Sequence, residues 1–352
     1  KKLKETFLQK INSNQKPKII TLFGSGETSP HMAKSYRDIF SNFSNNLSNN
    51  YLLDTPFGFQ ENHTSLSLKI IDYFNSKLSL KLDNLNFSDS NSVNNFTEFK
   101  NKLANADFIF SGPGSPTYAM NLWEKHEIKK PLESSLESGC IIAFASAAAL
   151  TLGTFVIPIY EIYKVGENKS LLPGLDLLDF LNKETIVVPH FNNKEGGDHD
   201  TTHCFIGEKR FKKILEKHYH DCCEELLTIG IEEHTALVFD LNQSLISVKG
   251  NGSVFIKSIN GDLEIKNGES ININEINSNF IPSEAVNDNL ENIEASSSKP
   301  TIELDIEYLI DIRSQARANK NWELSDQIRD LLSQKNISIS DEEGSTKWKR
   351  LD

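Results

Sequence analysis

Six short apolar runs punctuate the first two thirds of this sequence, and each ends on glycine or polar residues. They are Ile19–Phe23, Tyr51–Asp54, Asp107–Phe110, Cys140–Phe144, Ile186–Val188 and Leu227–Ile231. Between them lie stretches with helical spacing, among them Thr64–Phe74, Thr117–Lys125 and Glu208–His218. Strands that are apolar on both faces must be covered on both sides, and the intervening helices supply that cover. The pattern predicts an α/β fold, a three-layer sandwich around a mainly parallel sheet. In such sheets a ligand sits outside the carboxyl ends of the strands. Those ends carry Gly24-Ser25-Gly26-Glu27, Gly112-Pro113-Gly114-Ser115, Ala145-Ser146-Ala147, Pro189-His190-Phe191 and Glu232-Glu233-His234. The chemistry of the chain is therefore expected along one edge of the sheet.

The rest of the chain is organised around this block. Residues 1–16 are a polar lead-in and 17–276 the α/β domain, with a short strand expected at Leu78–Leu82. From Ala236 to Ile273 apolar and polar residues alternate, with turns at Gly250-Asn251-Gly252 and Asn260-Gly261, which predicts antiparallel hairpins finishing the sheet edge. Residues 277–300 are a linker by composition, and 301–352 a separate helical module. In that module Leu304, Tyr308, Leu309 and Ile312 share one face, and Ile328, Leu331 and Leu332 another.

Composition bounds the function. A net charge of −12, from 37 Lys and Arg against 49 Asp and Glu, argues against a surface built as a whole to hold nucleic acid or anionic lipid. No apolar run is long enough to span a membrane. The chain opens on Lys1 rather than Met, as a trimmed form does, and no apolar segment comes after its first charges, so no secretory signal is expected. Cys140, Cys204, Cys222 and Cys223 are too few and too irregularly spaced for a disulfide framework, and reduced thiols in a cytoplasmic protein are expected.

Ser146 stands between an apolar strand and the small-residue run Ala147–Leu150. A serine on such a strand-to-helix turn exposes its hydroxyl, and the helix start offers backbone N–H groups to an oxyanion. A buried helix opening on small residues reads the same way. His190 comes 44 residues later and Glu233 another 43. A nucleophilic serine needs a base within hydrogen-bond reach, and the base needs an orienting acid. Glu161 and Glu232 are rival acids, and Glu161 is also a candidate ligand for a substrate amine. The segment Asn192–His203 is a candidate specificity loop. Its His199 and His203 have metal-ligand spacing only if helical, which Gly196-Gly197 disfavours, so no metal is expected.

The ordered set Ser146, His190, Glu233, with Gly112-Pro113-Gly114-Ser115 ahead of it, resembles the serine peptidase branch of the class I glutamine amidotransferase-like, flavodoxin-like fold, the dipeptidase E and cyanophycinase family. The resemblance covers about residues 17–276. It implies Ser146 as nucleophile, His190 as base and Glu233 as acid, with no cofactor and a small peptide or amide as substrate. It places oxyanion donors at Ala147 and at Gly114 or Ser115, in a loop begun by Gly112. Serine where related amidotransferases carry cysteine disfavours glutaminase chemistry. Phe144 and Ala148 stand where the family's elbow has glycine. That leaves three alternatives: a gentler turn, other chemistry, or a catalytically weak domain that binds a small molecule or tRNA.

The C-terminal segment resembles the small helical domain at the end of cysteinyl-tRNA synthetases. The residues that carry this are Arg313, Ala316-Arg317, Asn321-Trp322, Ser325-Asp326, Ile328-Arg329-Asp330 and Gly344-Ser345-Thr346 with Trp348. The H-I-G-H and K-M-S-K-S signatures of the synthetases are absent. The resemblance implies tRNA contact through Arg313, Arg317, Lys320, Arg329, Lys347, Lys349 and Arg350. A hairpin that packs on the main domain or pairs copies of the chain, its charges solvated, is the other reading.

Overall fold

The computed structural model describes residues 16–41, 47–221 and 225–279, and, in the C-terminal part, residues spread over 310–350. The chain divides into two compact units, Lys1–Leu290 and Glu291–Asp352. The strands of the first are β1 (Ile19–Phe23), β2 (Asn50–Leu52), β3 (Asp83–Asn84), β4 (Phe108–Ser111), β5 (Ile141–Ala145), β6 (Phe155–Val156), β7 (Leu172–Pro173), β8 (Glu184–Val188), β9 (Leu226–Ile231), β10 (Thr235–Asp240), β11 (Leu245–Gly250), β12 (Val254–Ser258), β13 (Gly261–Ile265) and β14 (Ser270–Asn272). Its α-helices are α1 (Met32–Phe40), α2 (His63–Leu78), α3 (Phe96–Ala104), α4 (Pro116–Lys125), α5 (Lys129–Ser138), α6 (Ala147–Leu150), α7 (Ile159–Tyr163), α8 (Glu208–Asp221) and α9 (Ile273–Asn279).

The expected α/β sandwich is present, but its strands form two sheets. One runs β14-β11-β10-β1-β5-β4-β2-β3, the other β13-β12-β9-β8-β6-β7. β1, β5, β4, β2 and β3 are parallel, and so are β6, β8 and β9. The alternation of side chains shows why both faces are apolar. Ile20, Leu22, Ile109, Ile142 and Phe144 join one core, which takes Trp123 from α4, Leu132 from α5 and Ile214 from α8. Ile19, Phe23, Phe108, Phe110, Ile141 and Ala143 join the other, under Tyr36 of α1 and Phe74 of α2.

The hairpins do not finish one edge. β10 pairs antiparallel with β1 near the middle of the first sheet, with β11 and β14 beyond it, whereas β12 pairs with β9 of the second and β13 lies beyond β12. The chain switches sheets at the Gly250–Ser253 turn. There Glu232 accepts the Ser253 N–H at 2.7 Å and the Thr235 hydroxyl accepts the Gly252 N–H at 2.9 Å. The strand expected at Leu78–Leu82 is also displaced. Leu78 ends α2, and pairing begins at Asp83.

In the second unit Ile310, Ile328, Leu332 and Ile337 form a small core with Ile339 and Trp348 against it. Of the residues expected on helical faces, Ile328 and Leu332 lie in this core, while Leu304, Tyr308, Leu309, Ile312 and Leu331 lie outside the described residues. The unit also holds a hairpin, β15 (Ile337–Glu342) with β16 (Ser345–Arg350). Its alternation seats Trp348 between the exposed Lys347 and Lys349. No helix among the described residues is long and apolar enough to cross a membrane.

Candidate active site

Every group of the site lies just past the carboxyl end of a parallel strand. Ser146 comes directly after β5 and before α6, at φ 50° and ψ −115°. A non-glycine residue with positive φ costs on the order of 1–3 kcal/mol, so the turn is a strained elbow, and the gentler turn, one of the three alternatives left open by Phe144 and Ala148, is not what forms. The bulk is tolerated because both side chains leave the turn. Phe144 points into the core against Trp123, with ring centroids 5.8 Å apart. Ala148 is buried, and its N–H donates to Gly112 O at 3.2 Å. Ser146 N–H donates to Phe23 O at 3.2 Å, which ties the elbow to β1.

The elbow aims the hydroxyl at the imidazole. Ser146 Oγ lies 3.0 Å from His190 Nε2, and His190 Nδ1 lies 2.9 Å from Glu233 Oε1. Burial alone would raise the Glu233 carboxyl. Hydrogen bonds from His190 and Asn193, with the charges of His190 and His234, outweigh it and hold the group below its ordinary range. The carboxylate can only accept, so the proton of a neutral imidazole sits on Nδ1 and leaves Nε2 as acceptor for the serine hydroxyl. His190 is itself at φ 50°, and its N–H is bonded to Gly24 O at 3.1 Å.

Two asparagines anchor the acid. Asn193 Nδ2 donates to Glu233 Oε1 at 2.8 Å, and Glu233 N–H donates to Asn192 Oδ1 at 2.9 Å. Their place in a polar run pointed to the segment but not to this role, because the acid arrives 40 residues later. The segment wraps the base through a left-handed turn, His203, Cys204 and Phe205, at φ 54°, 57° and 71°. Cys204 N–H donates to His190 O at 3.3 Å, and the Phe205 ring lies 5.0 Å from the imidazole. His203 stacks on Phe211 at 4.6 Å, and burial pulls its pKa down to about 4, so it is a neutral packing group. Among the described residues no three His, Cys, Asp or Glu side chains group to hold a metal ion.

The glycine loop corrects one expected donor. Ser115 N–H donates to Pro56 O at 2.7 Å, and its hydroxyl caps α4 by accepting Tyr118 N–H at 3.1 Å. Both groups are spent on the helix start, so Ser115 has no N–H for an oxyanion. The N–H groups of Gly114 and Ala147 meet no acceptor among the described residues. Gly114 is at φ 140°, and a Cβ there would stand 2.0 Å from Pro56 O. Only glycine brings the loop this close.

The rival acids are elsewhere. Glu161 accepts the Thr117 hydroxyl at 3.1 Å, and Glu232 holds Ser253. The carboxylate on the imidazole is that of Glu233. Glu27 is a buried carboxyl that no sequence motif marks as distinctive. Burial pushes it up, against its own N–H and the neighbouring His190 and His234. Of the expected RNA contacts, Arg313 is 1 % exposed and cannot meet a phosphate from solvent, Arg317 and Arg329 are exposed, and Lys320 lies outside the described residues. Cys140 and Cys204 are buried free thiols, and Cys222 and Cys223 also lie outside the described residues.

Comparison with known proteins gives two separate likenesses. A crystal structure of a peptidase from an acI-B1 actinobacterium shares the fold, with a TM-score of 0.57 at 22 % identity over 73 % of this chain and 97 % of that one. Cysteine–tRNA ligases of Neisseria gonorrhoeae (strain ATCC 700825 / FA 1090) and Bacillus pumilus (strain SAFR-032) are 45 % identical over 71 residues and 48 % over 52. These matches cover 20 % and 15 % of this chain and span only 13 % and 11 % of the ligases' length. Peptidase family S51 matches residues 20–246, the stretch that runs from β1 into β11 and holds the elbow, the imidazole and the acid. Because that match takes in well over half of the sequence, the chain belongs to peptidase family S51.

Proposed function

We propose that the protein is a serine peptidase that cleaves a peptide or amide bond, with Ser146 as nucleophile, His190 as base and Glu233 as the acid that orients it. The observation that carries this reading is the unbroken chain of contacts at 3.0 and 2.9 Å from hydroxyl through imidazole to carboxylate. Ser146 Oγ attacks the carbonyl carbon and its proton passes to Nε2. The tetrahedral oxyanion takes the N–H groups of Ala147 and Gly114. Nε2 then returns the proton to the leaving amine as the C–N bond breaks. Water, deprotonated by the same nitrogen, releases the acyl group and restores the serine.

Glu233→Gln tests the acid. The amide holds the ring but presents Nδ1 with a group that can also donate, which favours the wrong tautomer. The kcat for hydrolysis of a quenched peptide pool is expected to fall by about 10⁴-fold with little change in Tm. Unchanged turnover would reject Glu233 as the acid.

A second reading concerns the C-terminal unit alone. Its kinship to cysteine–tRNA ligases and the exposed Lys347 and Lys349 of β16 support tRNA binding. Retention of labelled tRNA is expected to fall steeply with salt and to weaken in Lys347→Glu/Lys349→Glu. Equal retention by a protein ending at residue 290 would count against it.

A further inference from the structure

A cavity of about 410 Å³ is lined by Phe59, Gln60, Tyr160, Glu161, Lys164 and Val165. Two contact chains fix its place. On one side Gly114 packs on Pro56, the Phe59 ring lies 5.3 Å from that of Tyr118, and Thr117 donates to Glu161. These contacts tie the cavity to the loop that carries the Gly114 N–H. On the other side Tyr163, from the same helix as Tyr160 and Glu161, lies 5.8 Å from Phe205, which lies 5.0 Å from His190. The lining thus touches Thr117 and Tyr118, which follow the Gly114 loop, and its helix is linked through Tyr163 and Phe205 to His190.

Its chemistry is apolar. Phe59 is 48 % and Val165 67 % exposed, two of the four large hydrophobic side chains left in solvent among the described residues. Such exposure concentrated at a concave site marks a place where something apolar binds. The two charges on the lining are opposite in sign and both engaged. Glu161 accepts the Thr117 hydroxyl, and Lys164 Nζ lies 4.5 Å over the Tyr163 ring. One carboxylate and one ammonium leave the lining with no net formal charge.

We propose that this pocket receives a large apolar side chain, aromatic or branched aliphatic, of the peptide residue next to the scissile bond, so that the substrates are peptides with such a residue there. This rests on the Ser146 peptidase reading, and the test separates the two. Blocked peptides acetyl-Gly-X-Gly-amide, with X as Phe, Leu, Ala, Asp or Lys, are titrated by ligand-observed NMR into the full chain carrying Ser146→Ala. Phe and Leu are expected to bind at least about tenfold more tightly than Ala, Asp or Lys, since apolar pocket filling discriminates by roughly 10–200-fold. Adding Val165→Asp at the exposed rim is expected to remove that advantage. Equal affinities, no binding of any peptide, tightest binding of Asp or Lys, or an advantage untouched by Val165→Asp would overturn the proposal. Tight binding of the Phe peptide that the wild-type chain does not cleave would sink the peptidase reading and leave the pocket standing. Cleavage without preference among the five would do the reverse.

Discussion

Ser146→Ala is expected to lower kcat for peptide hydrolysis by about 10⁶-fold, the loss typical when the nucleophile of an interdependent triad is removed. The fold should survive, because among the described residues Ser146 contributes its hydroxyl to His190 alone and its backbone N–H to Phe23, and alanine keeps the second. The residual rate should still exceed that in water, since the N–H groups of Gly114 and Ala147 remain. Adding His190→Ala to this variant should cost little more. Once the hydroxyl is gone, the base has no proton to take. Additive losses, or a peptide-hydrolysing activity that survives the single substitution, would show that the chemistry is done elsewhere. Rates are read with the same quenched peptides for both variants.

Gly114→Ala is the second large effect, and its cause is backbone rather than chemistry. The added Cβ would stand 2.0 Å from Pro56 O, 2.2 Å from its carbonyl carbon and 2.7 Å from Phe57 N, in a conformation at φ 140° that L residues rarely adopt. None of these neighbours is a flexible side-chain tip, so the loop must move. Its N–H then leaves the oxyanion position, and loss of one such donor costs about 10²–10³ in kcat. Gly112→Ala is the contrast. Its Cβ would approach nothing nearer than 3.4 Å from the Phe110 ring, so the loop, the rate and the Tm should be close to those of the parent. Equal behaviour of the two alanines in a paired kinetic and thermal comparison would remove the Gly114 N–H from the mechanism.

The sheet and the three side chains brought into contact at its edge, Ser146, His190 and Glu233, were legible because each is written locally. A run such as Ile19–Phe23 is apolar at nearly every position, which suits a strand buried on both faces and puts the glycines and polar residues after it at the sheet edge. The features the sequence hid depend on partners far along the chain. The alternating segment from Ala236 predicts hairpins, but whether they join β1 or β9 depends on the Gly250–Ser253 turn packing against Glu232 and Thr235. Ser115 carries the right residue type for an oxyanion loop. Its N–H is lost to Pro56, far earlier in the chain, and its hydroxyl to α4. Asn193 could be placed near the base but not assigned to Glu233, which arrives from another strand. Phe144 and Ala148 left a relaxed turn open among three alternatives, because spacing does not reveal that their side chains would pack away from it. Arg313 is charged in a segment that reads as amphipathic, yet it is buried.

The central claim is that the Ser146 hydroxyl is activated by the imidazole beside it, and an isolated serine does not react with a fluorophosphonate. Intact-mass and peptide-mapping spectra of the full chain treated with such a probe test this directly. The expected result is a single adduct on Ser146 in the parent chain and none in His190→Ala. An unlabelled parent, an adduct on a different residue, or equal labelling of Ser146 when His190 is removed would contradict it.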